Sequence, residues 1–196
     1  MNTRFLITAV AIFMAPVVTT TLSNASAKTV CGAKVHNKYG VLRSRHGSSL
    51  ATLRKDGSSH VVIYHRDKTA PLGWSHSLRA YLPDHESHWR VNLTTIQPMA
   101  RKRSGFDVLI DDLPRQHFDK GEIENTNSVN EWVLFFANQN ATSLVEKMKR
   151  GNIFVWGYET HTFQRVKIPF QLNGFTRAAK WAKCAQATLA GEPTDN

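Results

Sequence analysis

Along "HWRVNLTTI" (88–96) apolar and polar side chains alternate. Trp89, Val91 and Leu93 fall on one face of an extended chain, and His88, Arg90, Asn92 and Thr94 on the other, the pattern of a strand in a sheet with one wet side. Further strands are predicted where short β-branched and aromatic runs are bounded by turn residues: "FDVLID" (106–111), "EWVLFFA" (131–137), "NIFVWGYE" (152–159) and "QRVKIPF" (164–170). In "SLATLRKDGSSHVVIYHR", Asp56-Gly57 is expected to supply both positive-φ positions of a tight two-residue hairpin, so that 49–55 pairs with 58–65. The segment 121–131, "GEIENTNSVNE", has neither apolar period nor apolar content and reads as a surface loop.

Two stretches change to helical spacing. "SLVEKMKRG" opens with Ser143 and Glu146 at capping-box distance, carries Lys147, Lys149 and Arg150 in its last turn, and stops at Gly151. "NGFTRAAKWAKCAQATLA" repeats apolar residues at Phe175, Ala178, Ala179 and Ala182, with Arg177, Lys180 and Lys183 on another side. No internal repeat or dividing linker interrupts the series. The expectation is a mainly β fold, an antiparallel β-sandwich or open barrel, with one short helix and a C-terminal helix packed on its flank. It forms a single domain over 28–190, and 191–196 is a frayed tail.

The N-terminus follows a different rule. Arg4, the apolar run "FLITAVAIFMAPVV" and the small residues Ala25-Ser26-Ala27 have the order of a secretory signal peptide, 1–27, cleaved after Ala27. The run is shorter than the roughly 20 residues a bilayer crossing needs, and Pro16 interrupts it, so no transmembrane segment is expected in the mature chain. Export to the periplasm or medium gives meaning to the only two cysteines, Cys31 and Cys184, because two thiols in an oxidising compartment are expected to pair. A nucleophile or a metal thiolate is disfavoured, since neither has a CxxC partner and each lies near a chain end.

The succession "LVEKMKRG", "NIFVWG", "VKIPFQL" and "NGFTRAAKWAKCA" resembles the end of the invasion-associated locus B family of exported bacterial proteins, over about residues 106–185. In that family a helix reading Gly-Phe followed by alanines ends a β-rich domain. The resemblance implies a non-enzymatic envelope or secreted protein, linked with host association in some members. The family pattern also carries a middle cysteine pair, which this chain lacks.

Candidate chemistry is sparse. In "YLPDHESHW", His85 and His88 with an oxygen of Asp84 or Glu86 have the donor chemistry for Zn²⁺ or Cu²⁺. Pro83 and the strand that follows, however, turn rings three positions apart to opposite faces, so a solvated turn is favoured and no metal or cofactor is assigned. A periplasmic hydrolase or metal-dependent enzyme using the 84–88 cluster is the competing class. Asp111-Asp112, adjacent on a strand, point apart and read as a polar turn rather than an acid–base pair. His60 and His65, with Ser48, Ser49, Ser58 and Ser59, supply no nucleophile elbow, and Gly32, Gly40, Gly47 and Gly57 are scattered through turns without forming a phosphate loop. Asn92-Leu93-Thr94 and Asn140-Ala141-Thr142 match glycan-acceptor spacing, which matters only in a eukaryotic secretory route.

Charge is more informative. The chain carries 25 basic against 15 acidic residues, a net charge of +10, and removal of 1–27 takes away only Arg4. Arg43, Arg45 and His46 are read as alternating along one side of a strand, Arg54 and Lys55 flank the hairpin turn, and Arg101, Lys102 and Arg103 share a loop. Convergence of these groups would make an anion-binding patch for envelope lipid, acidic glycan or another protein. Trp74 and Tyr81 are placed for base stacking, but export separates the protein from nucleic acid, and Trp74, Trp89, Trp132 and Trp156 each border apolar runs and read as packing residues. The first expected outcome concerns processing: mass spectrometry of exported protein gives Lys28 as the N-terminal residue, and an intact Met1 on membrane-embedded protein contradicts the cleavage reading.

Overall fold

The computed structural model describes residues 28–69, 72–83, 88–95, 105–118, 124–128, 131–136 and 138–190. Its strands are β1 (Thr29–Val30), β2 (Ala33–Lys34), β3 (His36–Lys38), β4 (Val41–His46), β5 (Ser49–Leu53), β6 (Ser59–Arg66), β7 (Trp74–Leu82), β8 (Arg90–Thr95), β9 (Phe106–Ile110), β10 (Gln116–Phe118), β11 (Glu124–Ser128), β12 (Glu131–Phe136), β13 (Ile153–Glu159) and β14 (Arg165–Gln171). Helix α1 (Asn138–Arg150) precedes β13, and α2 (Phe175–Ala190) follows β14. All strand pairs are antiparallel.

Among the described residues the strands make an eight-stranded sheet in the order β11-β12-β8-β7-β6-β5-β4-β3, a four-stranded sheet β10-β9-β13-β14, and the small hairpin β1-β2. This is the expected sandwich, with no closed barrel. The period-two pattern explains which face is buried. Val61, Ile63, Leu78, Ala80, Val91 and Leu93 point inward from the large sheet, and with Phe106, Phe154, Trp156 and Phe170 of the small one they join a single core. Trp89 and Trp156 are buried there as expected, whereas the side chains of Trp74 and Trp132 lie outside the described set. Helix α2 lies against β4, β5 and β6, and α1 lies against β8 and α2. The small sheet covers the rest of the inner face.

Helix α2 matches its spacing: Phe175, Ala178, Ala179 and Ala182 are buried and Arg177, Lys180 and Lys183 exposed. Small side chains let it sit close to the sheet. At its N-terminus Gly174, at φ 80°, passes so near the β4–β5 turn that a Cβ there would stand 2.1 Å from the His46 carbonyl oxygen. The Ser48 amide donates to the Asn173 carbonyl at 3.1 Å, completing the join. From the middle of the helix Trp181 Nε1 donates to the Val30 carbonyl at 2.8 Å, and Cys184 is bonded to Cys31 with the Cα atoms 6.0 Å apart. The β1-β2 hairpin is thus held to α2 by a covalent bond and by an indole hydrogen bond.

Four expectations are corrected. The 54–58 hairpin has three loop residues, because Arg54 N donates to Ser58 O at 2.9 Å and Gly57, not Asp56, is the residue at positive φ (79°). The segment 121–131 contains strand β11, which as an edge strand pairs with β12 through its backbone and needs no apolar side. Helix α1 begins at Asn138, so Ser143 lies within it and is not the cap. His46 faces opposite to Arg43 and Arg45, since it takes the parity of Ser44, and its ring approaches Trp181 at 6.5 Å between centroids. The tail 191–196 and the segment 1–27 lie outside the described residues.

The disulfide spans 153 residues, and by chain entropy alone it would contribute at most roughly 5 kcal/mol, with measured bridges more often at 2–4. Cys184→Ser is expected to lower the unfolding free energy by about 2–4 kcal/mol in chemical denaturation without changing the circular dichroism of the fold. An unchanged midpoint would mean that Trp181 and helix packing alone hold the ends.

Candidate anion-binding face

Strand register decides which side chains share the outer face of the large sheet. His36, Arg43, Thr52, His60, Tyr81 and Arg90 stand opposite one another across β3 to β8, forming one row. Arg45, Leu50, Val62, Arg79 and Asn92 form the next. Arg54 follows Thr52 by two residues and belongs to the same side. From β4 to β8 is four strand spacings, about 19 Å, and the two rows lie about 7 Å apart.

The result is a face bearing Arg43, Arg45, Arg54, Arg79 and Arg90, with His60 among them and His36 at its edge. No carboxylate among the described residues pairs with Arg43, Arg45 or Arg79. Asp56 is turned to local work, accepting from the Ser58 amide at 3.0 Å and from its hydroxyl at 2.6 Å. Those hydrogen bonds first, and Arg54 after them, hold its carboxyl below the ordinary range. His60 feels the crowding most. Burial first, then the guanidinium groups of Arg79, Arg54 and Arg43, push its pKa down to about 4.

Of the predicted patch, the structure brings together Arg43, Arg45 and Arg54. Lys55 sits in the loop, its aliphatic stem over Gly40 in the β3–β4 turn. Arg101, Lys102 and Arg103 lie outside the described residues, as do Asp84, His85 and Glu86; His88 is described and exposed. Sequence reading missed Arg79 and Arg90 as members of the face. The signal for Arg79 was present in "SLRAYL", where Ser77, Arg79 and Tyr81 alternate with Leu78, Ala80 and Leu82.

Other polar groups have structural employment. Asp111, at φ 46°, accepts from the amides of Asn152 and Ile153 at 2.8 Å each, which ties the end of β9 to the start of β13 and bears out the reading of a polar turn. Asp107 on β9 receives Arg115, Arg165 and, at 2.8 Å, His117 Nδ1. Burial would raise its pKa, yet the hydrogen bonds from these three hold it below the ordinary value. His65 Nδ1 lies 3.1 Å from the Pro169 carbonyl, and among the described residues none of the serines 48, 49, 58 and 59 is hydrogen-bonded to either His60 or His65. His76 is buried between the sheets, with Nδ1 2.8 Å from Ser75 Oγ and Nε2 2.7 Å from the Tyr158 hydroxyl. Asn92 of the first acceptor-like triplet is only 9% exposed, which leaves no room for a bulky glycan on it in this fold. No group of three or more metal-ligating residues occurs among the described residues.

These features define a class of protein: a two-sheet antiparallel sandwich sealed by a C-terminal helix, stapled end to end, with a basic outer face. Among solved structures the chain is similar to the crystal structure of invasion associated protein B from Bartonella henselae, with a TM-score of 0.56 and 12% identity over 77% of this chain and 99% of that one. At that identity the likeness is one of fold. No protein-family profile matches the chain, and no curated protein matches it by sequence.

Burial and neighbouring charge together give a pH dependence with a definite sign. His60 and His76 are held near 4, His76 by burial first and then by His65, and His46 is lowered by burial and by Arg177, whereas an unfolded imidazole titrates near 6.5. Between those values the unfolded chain binds protons that the folded chain refuses, so stability is full above pH 6.5 and declines as the pH falls toward 4. The urea midpoint is therefore expected to drop between pH 7.5 and pH 5, with a shallower slope in His76→Gln. A midpoint constant over that interval would contradict the burial of neutral imidazoles.

Proposed function

We propose that this is an exported, non-enzymatic binding protein that holds an acidic glycan, of an envelope or a host surface, on the outer face of its large sheet. The observation that carries the reading is that Arg43, Arg45 and Arg79 share that face without a carboxylate partner among the described residues. By strand geometry Arg43 and Arg45 stand about 7 Å apart on β4 and Arg79 about 14 Å away on β7; like charges at these separations repel, and an anionic partner relieves the repulsion. The rows of side chains run across several strands, which suits a linear polymer, and exposed Tyr64 is the face's only described large hydrophobic side chain more than a third accessible, which disfavours insertion into lipid. The signal-like residues 1–27 and the Cys31–Cys184 bridge support export. The fold shared with invasion associated protein B supports a role in host association. Arg101, Lys102 and Arg103, outside the described residues, extend the patch in this proposal.

Binding to dextran sulfate is expected to weaken steeply with added salt and to be absent for neutral dextran, because exposed charges are screened beyond about 8 Å at physiological ionic strength. Replacing Arg43, Arg45 and Arg54 together with Ser is expected to weaken binding about tenfold at low salt while leaving the fold intact. If the triple variant binds as tightly as the parent, the positive charge serves solubility alone.

A further inference from the structure

The outer face is not uniform. Arg79 on β7 stands directly opposite Asn92 on β8 and Val62 on β6, and Val62 is only 1% exposed although it points away from the core. Arg79 Nε is buried without a hydrogen-bond partner, and so is Oδ1 of Asn92, a residue 91% buried. A buried donor and a buried acceptor side by side, both unmet, are costly to keep. His60 lies diagonally across from Arg79, one row along.

We infer that Arg79, Asn92 and His60 form a recessed subsite for one ester oxyanion of an acidic glycan, and that the anion enters together with a proton taken up by His60 from solvent. The inference rests on the glycan-binding reading of the face and names its anchoring point. The Nε edge of a guanidinium presents two parallel N–H donors to an oxyanion, a geometry that an ammonium lacks. Asn92 Oδ1 needs a donor, and an oxyanion has none. A sugar bearing a sulfate or phosphate ester beside a free hydroxyl supplies both halves: its oxyanion accepts from Arg79 and its hydroxyl donates to Asn92.

The proton follows from the surroundings of His60. It is faced by Arg79 and Tyr81 from β7, by Arg54 and Asp56 from the β5–β6 hairpin and by Arg43 from β4. His36 and Arg90 occupy the ends of its row, and Glu131 lies three strands away in β12. Positive charge therefore dominates around it, and its imidazole stays neutral in the free protein. An oxyanion beside Arg79 cancels part of that field and adds an attraction for imidazolium, so binding and protonation favour each other.

The test uses dextran sulfate, whose ester groups keep one charge across the range, titrated into the full exported chain at pH 7 and pH 5 at fixed ionic strength. The parent is expected to bind about five- to tenfold more tightly at pH 5. His60→Gln is expected to lose most of the rise in affinity between pH 7 and pH 5, whereas His36→Gln keeps it. Arg79→Lys, which preserves charge but not the fork, is expected to lose about tenfold at both pH values, against less than threefold for Arg43→Lys. Asn92→Asp, which places a carboxylate beside the oxyanion, gives a second route to the same loss, and thermal unfolding of each variant separates misfolding from lost contact. Equal binding by parent, Arg79→Lys and Asn92→Asp overturns the subsite while leaving the basic face. No binding of dextran sulfate by the parent at any salt overturns the face itself. Capture of phosphatidylglycerol vesicles in place of dextran sulfate makes lipid the occupant and overturns the glycan assignment.

Discussion

The close seat of α2 on the large sheet is the constraint on which the rest of the molecule depends. Alanines at 178, 179 and 182 and the glycine at 174 remove the side-chain bulk that would otherwise hold helix and sheet apart. Only at that approach can Trp181 reach the Val30 carbonyl and Cys184 reach Cys31. Interiors pack near crystal density, so a helix lifted by a single methyl group would open space along β4, β5 and β6 at once. The terminal bridge is therefore a consequence of the packing and a lock upon it.

Sealing one face of the sheet determines the character of the other. The inward positions of β4 to β8 are apolar or small, apart from groups such as His76 that find hydrogen-bond partners between the sheets. Period-two geometry then leaves the outward positions to carry the charge, and here most of that charge is arginine. The small sheet solves the same problem differently, gathering Arg115, His117 and Arg165 around Asp107. A basic cluster built for stability has a carboxylate at its centre. The large sheet's cluster has an imidazole there instead, and that contrast is the physical basis for reading one as scaffold and the other as a binding face.

Strand existence was legible because burial on one side writes itself into alternation, as in 88–96, and α2 was legible because its buried residues recur at helical spacing. The staple was legible because the chain has just two cysteines behind a signal-like start, and two thiols in an oxidising compartment have only each other. Strand β11 was not, since "ENTNS" pairs through backbone groups that every sequence possesses. Nor was the true start of α1, where a plausible cap at Ser143 lay inside a longer helix.

The composition of the candidate site shows the division most clearly. By itself the sequence determined that the chain is basic, that Arg43 and Arg45 share a side, and that 58–65 is an extended run paired with the segment before Asp56. The hairpin between β5 and β6 decided what those facts mean together. A two-residue turn at Asp56-Gly57 would pair His60 with Leu53 and bring it to the core face, whereas the observed three-residue turn pairs it with Thr52 among the arginines. A one-residue change in register exchanges the two faces of a strand, and the side able to bury Val61 and Ile63 prevails. Which arginine stands beside which histidine is thus a property of strand pairing across distant segments, and local spacing carries no record of it.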